Sequence, residues 1–349
     1  MNKIFSMISV GTILILAVLL PYTCVLGQNP EWVNYNHTGT DVVLTMATEG
    51  DYIWAGTGRG KLIRFDSGSG EIIKYDNSYS PLPDDQIVAL SVEDNGTKWI
   101  GTGDSGLISF DGTIWSVYNT ANSGLPGNNI SALAIDNEGL LWIGTGGYYG
   151  NDTGYGVASF NGSEWDVYTT TNSGLVSNDI ECIAVDEHNA KWIGTWGGGM
   201  AIFNNTIWSS YNTSNSGLPD NDVISVCAEE DGNVWMGTRN GGTVLFDGSA
   251  WVILDENNSG LNSNKRVNSI VKASNGKKWF LEESSGEMGS SFYIISYDDA
   301  NWENQSKPSS RGYIMSMAVD TESNLWIGQG YLDIACLEDT SWTSFSLNI

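Results

Sequence analysis

The tetrapeptide Trp-Ile-Gly-Thr, or a close variant, starts at Trp54, Trp99, Trp142, Trp192, Trp235, Trp279 and Trp326, at intervals of 45, 43, 50, 43, 44 and 47 residues. No other property of the chain restricts its architecture as much. Periods of roughly 20 to 50 residues belong to solenoids, propellers and arrays, in which each unit buries its apolar face only against its neighbours. The sixth copy, Trp279-Phe280-Leu281-Glu282, is the most degraded, and the seventh carries Gln329 where the others have Thr.

Each anchor stands in the same surroundings. Upstream lies a β-rich run such as Ile87-Val88-Ala89-Leu90-Ser91-Val92, followed by a polar turn such as Asp94-Asn95-Gly96. Downstream, a glycine-rich loop leads to a third strand ending near Phe110-Asp111-Gly112, and a fourth carries Trp115-x-x-Tyr118 before Asn122-Ser123-Gly124-Leu125-Pro126. Four short strands separated by turn residues, with no helical period, describe a propeller blade. A solenoid also satisfies the period, but four antiparallel strands in some 44 residues suit a blade better. The fold expected is all-β: a seven-bladed β-propeller of four-stranded antiparallel blades.

The first strand of each repeat fits radial packing. Small side chains stand ten and eight residues before the anchor (Ala89 and Ser91, Ala132 and Ala134, Cys182 and Ala184), and large ones alternate with them. Successive side chains of a strand point to opposite faces, so the large face of one blade nests on the small face of the next. The recurring tryptophans read in the same way, as packing between blades rather than as ligand platforms. Trp32-x-x-Tyr35 and Trp342-x-x-Phe345 both resemble a fourth strand, so either end of the chain offers one to close the ring.

Residues 1–27 read as an export signal, leaving 28–349 as one propeller domain. Lys3 is the lone charge before an apolar run from Ile4 to Leu20, and Val25-Leu26-Gly27 offers a cleavage site. An uncleaved anchor is the alternative. The expected location is extracellular or periplasmic, with no membrane contact once the signal is removed. The net charge of −26 becomes −27 when Lys3 is lost. Such a surface repels phosphate backbones and anionic membranes, which argues against nucleic-acid partners. Cys182, Cys227 and Cys336, an odd set in apolar strands, read as buried free thiols.

Asp136-x-x-Gly139-x-x-Trp142-Ile143-Gly144-Thr145, continuing to Phe160-Asn161-Gly162-x-x-Trp165-x-x-Tyr168 and Asn172-Ser173-Gly174-Leu175, closely resembles the two-component regulator propeller repeat. The resemblance runs from about residue 41 to 345. In that family the repeats form the extracytoplasmic sensing part of bacterial hybrid histidine kinases that respond to oligosaccharides. The β-sandwich, transmembrane helix and kinase of those receptors have no counterpart in this sequence. The resemblance therefore implies a ligand-binding propeller without implying kinase output.

Loops between the second and third strands of a blade share a face with the connections between blades, and sites usually gather there. The anchor stands 16 residues before the later tryptophan in most repeats but 23 before it in the third and sixth. The two insertions, Gly146–Tyr155 and Glu282–Gly289, would flank a groove over the axis. Tyr148, Tyr149, Tyr155 and Trp196 would supply aromatic surfaces there, and Arg59, Asp104, Asn151, Asp152, Arg239 and Gln329 polar partners. Aromatics beside hydrogen-bonding groups suit sugar rings. The alternative is that both insertions are merely tolerated.

Catalytic signals are sparse. His37 and His188 are the only histidines, too distant for a metal pair or a triad, and His188 sits in a turn. Among 41 acids some fall in face loops by chance, Glu282, Glu283 and Glu287 included. No metal or cofactor is expected, and the Asp-x-x-Gly turns read as hairpin chemistry. The function expected is non-catalytic binding of a small molecule or oligosaccharide. A carbohydrate lyase or hydrolase using face-loop carboxylates, and a scaffold for an extracellular protein, are the alternatives.

Overall fold

The turn before each anchor tryptophan shows how the repeat organises a blade. In the third repeat the Asp136 carboxylate accepts hydrogen bonds from the backbone N–H groups of Glu138 (3.0 Å) and Leu140 (2.9 Å) and from Trp142 Nε1 (3.0 Å). One acid thus closes the turn between the first two strands and fixes the indole that packs between blades. Glu49, Glu93, Asp186, Glu229 and Asp320 accept from Trp54, Trp99, Trp192, Trp235 and Trp326 at 2.6–2.8 Å. The sixth repeat has Ala273 at this position, and the buried Trp279 Nε1 has no hydrogen-bond partner. Ala273→Asp should therefore stabilise the protein by about 1 kcal/mol. A urea midpoint that does not rise would show that this hydrogen bond contributes nothing in the sixth blade.

The computed structural model describes residues 41–146, 154–261, 265–286, 289–306, 308 and 313–347, all in the unit that begins at Gly39. Its strands form seven four-stranded antiparallel sheets, each built from four consecutive strands in chain order. The innermost strands are Val43–Glu49, Ile87–Val92, Ile130–Ile135, Ile180–Val185, Val223–Ala228, Arg266–Lys272 and Ile314–Val319. Each packs beside the next, and the last packs beside the first, which closes a ring of seven blades. The expected seven-bladed propeller is the fold of the chain.

Blade 7 takes all four strands from residues 314–346, with Ser341–Ser346, the Trp342-x-x-Phe345 strand, at its outer edge. Trp32-x-x-Tyr35 and the export-signal reading lie outside the described residues. The ring closes through a Val42–Gly330 bridge, a hydrogen bond from Thr48 Oγ1 to Val319 O (3.1 Å), and a shared core that includes Val43, Phe65, Trp326 and Leu347.

Close approach of blades explains two recurrent glycines. A Cβ on Gly144 of the anchor would lie 2.6 Å from Ile180 Cγ2 in the next blade, and one on Gly124 would lie 2.5 Å from Trp165 Cβ. Leu281 replaces the anchor glycine in blade 6 and joins Ile314 of blade 7 in one core. The Asn-Ser-Gly-Leu motif holds the connection to the next blade. Asn122 Nδ2 donates to Val117 O (3.0 Å), Ser123 Oγ donates to Asn119 O (2.7 Å), and Leu125 is buried.

Lysines at alternate blades add ion pairs across the seams. Lys98 meets Glu49 (3.4 Å), Lys191 meets Asp136 (2.8 Å) and Lys278 meets Glu229 (3.0 Å), joining blades 1–2, 3–4 and 5–6. The cysteines among the described residues are unpaired. Cys336 is buried, Cys182 and Cys227 are partly so, and burial pushes the thiols of Cys227 and Cys336 up to about 12. They carry no appreciable thiolate at neutral pH.

Candidate functional site

The loops between second and third strands and the connections between blades share one end of the ring, as the sequence suggests. The loop of each of six blades donates a backbone N–H to the residue leading into its own inner strand: Gly58 to Val42, Gly103 to Gln86, Gly146 to Asn129, Trp196 to Asp179, Arg239 to Asp222 and Gly330 to Tyr313. Threonine at the end of the second strand tightens the loop. Thr102 Oγ1, for example, donates to Gly106 O (2.8 Å) and accepts from the Ser105 N–H (3.0 Å). His188, in the turn between the inner and second strands of blade 4, belongs to the opposite end and is exposed.

At the loop end the axial channel opens into a cavity of about 560 Å³ lined by residues from all seven blades. Its wall comes from a feature repeated in every inner strand. The pairing with the second strand jumps by one residue, from Ile87 to Ala89, Ile180 to Cys182, Val267 to Ser269, and equivalently in the other four. The residue skipped by such a β-bulge is released from the ladder and re-aimed. Six of the seven skipped residues line the cavity: Val88, Ser131, Glu181, Ile224, Asn268 and Met315. Three are apolar, while blades 3, 4 and 6 contribute a hydroxyl, a carboxyl and an amide. Each stands eleven residues before its anchor tryptophan. Strict alternation places that position on the large face between blades, so only the bulge reveals it as channel lining. Glu181 and Asn268, polar where other repeats are apolar, are the trace it leaves in the sequence.

The polar wall on the blade 6 side is tightly bonded. Glu283 accepts from Asn268 Nδ2 (2.9 Å) and Ser290 Oγ (2.6 Å) and faces Arg266 at 3.8 Å, while Arg266 Nε donates to Asn268 Oδ1 (2.5 Å). Glu181 differs. Its Oε1 is buried without a hydrogen-bond partner, and burial, reinforced by Asp179, pushes its carboxyl up to about 7 against the pull of Arg239 and Arg266.

The sixth insertion is not a loop. Lys278–Gly286 and Gly289–Tyr297 form a ladder that continues to Gly286–Gly289, so the second and third strands run nine residues each where most second strands have five. At about 3.3 Å per residue the hairpin projects about 13 Å beyond its neighbours. It places Glu283 and Phe292 opposite one another on the cavity wall, and Phe292 meets the ring of Tyr313 edge-on at 5.8 Å. Glu282, the adjacent carboxylate, is fully buried. Tyr313, exposed beside the cavity, is the aromatic that sequence reading missed, because it precedes a strand in a connection without a motif.

Of the residues singled out from sequence, the structure brings Trp196 and Arg239 together. The guanidinium lies 3.8 Å over the indole and 4.0 Å from Asp222 Oδ2, and Asp222 Oδ1 accepts from the Gly197 N–H (2.7 Å). One face of Trp196 is therefore covered by Arg239 rather than open to a ligand. Tyr155 is half exposed and lies against Gly127, where an added Cβ would come within 2.4 Å of the ring. Arg59 and Asp104 are exposed on the loops of blades 1 and 2, outside the cavity wall. Gln329 is 2% exposed and sits inside blade 7, at the strand-end position that threonine takes elsewhere. Tyr148, Tyr149, Asn151, Asp152 and Glu287 lie outside the described residues. Among the described residues no group of three His, Cys, Asp or Glu side chains is placed to hold a metal ion.

The model of the two-component regulator propeller repeat matches residues 124–147 and 217–240 of this seven-bladed propeller. No curated protein matches it. Among solved structures it is similar to the extracellular domain of the hybrid two-component system BT3049 from B. thetaiotaomicron. The two are 19% identical with a TM-score of 0.52, over 88% of this chain and 51% of that one. It is also similar to PorZ, an essential bacterial surface component of the type-IX secretion system of Porphyromonas gingivalis (18% identity, TM-score 0.60, 81% and 44% covered). The WD40 propeller domain of Doa1 is similar at 11% identity and a TM-score of 0.61, with 89% and 96% covered. The chain thus spans about half the length of the two bacterial surface proteins. At these identities the likeness concerns the fold.

Proposed function

We propose that this protein is an exported, non-catalytic propeller that binds an oligosaccharide over the mouth of its axial channel. The observation that carries the reading is the chemistry of that mouth. A cavity wide enough for a few sugar units has Tyr313 exposed at its edge and Tyr155 and Trp196 on the same face, beside a carboxyl, an amide and two guanidiniums. Sugar C–H faces stack on aromatic rings while hydroxyls take polar contacts. The export-signal pattern of residues 1–27 and the extracellular setting of the BT3049 domain and PorZ support the location.

A glycan-binding screen on the protein from Gln28 onward tests the reading. Tyr313→Ala and Tyr155→Ala should each weaken the best binder by about tenfold while leaving tryptophan fluorescence unchanged. Unaltered affinity in both variants removes the site from the mouth. Cleavage of the bound chain, found by product analysis, would instead favour hydrolysis by the Glu181 and Glu283 carboxyls.

A further inference from the structure

We infer that blades 3, 4 and 5 form the discriminating sector of the mouth, and that it takes a hydroxyl-bearing sugar unit without a carboxylate, whose hydroxyls donate to Glu181 and Asn129 and accept from Arg239. The inference rests on the carbohydrate reading above and names the class of sugar.

Seven buried side-chain polar atoms among the described residues have no hydrogen-bond partner in the protein, and five belong to blades 3 to 5; Ser131 Oγ and Glu181 Oε1 are on cavity-wall residues, and Asn129 Oδ1 and Arg239 Nε are on the connection and loop beside that wall. Asn129 and Ser131 flank Ile130 at the entry to blade 3, Glu181 is the bulged residue of blade 4, and Arg239 lies on the loop of blade 5. Folding has removed these atoms from bulk water without bonding them, so a ligand that bonds them recovers that cost. Asn129 Oδ1 only accepts, Arg239 Nε only donates, the Ser131 hydroxyl does either, and an ionised Glu181 only accepts. A hydroxyl is both donor and acceptor, so a polyol meets the whole set.

Charge excludes acidic sugars. The groups acting on Glu181 are Asp179 before its own strand, Asp222 before the inner strand of blade 5, Arg239 on the blade 5 loop and Arg266 on the inner strand of blade 6. Each guanidinium already faces an acid, Arg239 with Asp222 at 4.0 Å and Arg266 with Glu283 at 3.8 Å. A uronate entering here meets Glu181, Asp179 and Asp222 with no unmatched cation. A unit without a carboxylate avoids that penalty.

The Glu181 carboxyl, pushed up to about 7, gives this assignment a pH signature. A ligand hydroxyl donates to the ionised form, so affinity rises as pH climbs through that value and falls below it. The probes are cello-, malto- and mannopentaose, with pentameric galacturonate as the charged counterpart, measured by calorimetry at pH 6 and pH 8. A neutral pentamer should bind best, with affinity higher by up to about tenfold at pH 8. Glu181→Gln should lose about tenfold at pH 8 and flatten the pH dependence. Preference for pentameric galacturonate, or an undiminished pH slope in Glu181→Gln, overturns the inference. If that charged binder is still weakened by Tyr313→Ala, the carbohydrate reading stands without it. Binding of no pentamer overturns both.

Discussion

Replacing Asp136 by alanine will cost about 3–5 kcal/mol of unfolding free energy, one of the two largest losses expected from any single substitution considered in this molecule. Asp136 is 5% exposed and serves two blades at once. Within blade 3 it holds two turn amides and the Trp142 indole. Across the seam it meets Lys191 Nζ at 2.8 Å, and both side chains are 1% exposed. Lys191 keeps bonds to Asn189 O and Asn205 Oδ1 and lies over the Trp142 ring, but all of these are neutral partners. Without the carboxylate the ammonium is buried and uncompensated, which is why breaking such a pair costs more than forming it contributes. Asp136→Asn keeps the shape and loses the charge, and should fall between wild type and alanine. Urea unfolding followed by tryptophan fluorescence reads all three, and an alanine variant within 1 kcal/mol of wild type would show that the pair matters little.

The same carboxyl predicts acid sensitivity. Burial works to raise its pKa, but Lys191, Trp142 and the turn amides outweigh burial and hold it below the usual carboxylate value. Its contribution is therefore complete above the unfolded-state pKa and disappears as pH falls through the folded-state value. The gap between wild type and Asp136→Asn should narrow in acid.

Gly144→Val should cost about 3 kcal/mol or more, at the upper end of overpacking losses. The Cβ alone would meet Ile180 Cγ2 at 2.6 Å and Ile180 Cβ at 3.0 Å, with Ala132 Cβ at 3.3 Å on its own sheet. Ile180 is 1% exposed and has nowhere to retreat, so blades 3 and 4 must separate. If steric conflict is the cause, adding Ile180→Ala will recover part of the loss. A double variant no better than the single one would point to the strand itself rather than the seam.

The fold was largely legible because the repeat reports it seven times. The Trp-acid turn, the glycine beneath the next blade and the Asn-Ser-Gly-Leu corner each join a local bond to a contact between blades, so local pattern and global packing agree. The channel wall was not legible. A period of two assigns Val88, Ser131 and Glu181 to the face between blades, and one extra residue per strand turns them to the axis. Ser284, Ser285 and Gly286 also read as loop, because glycine and serine are poor strand formers and only the facing run from Ser290 onward makes them a ladder. Trp196 and Arg239 were chosen separately as platform and polar partner. Their stacking is a contact between loops of two blades, which no single repeat encodes.

The construction of every sheet from consecutive strands has a consequence for how the chain acquires its structure. No blade waits for a distant segment to complete its ladder, so each can form its hydrogen bonds once its own forty-odd residues have left the ribosome. Contacts between strands run within a blade or between neighbouring blades, which suits folding by stepwise addition of blades. One long-range event is left for the end, the meeting of Val43 with the last blade, and it joins finished surfaces rather than unpaired strands.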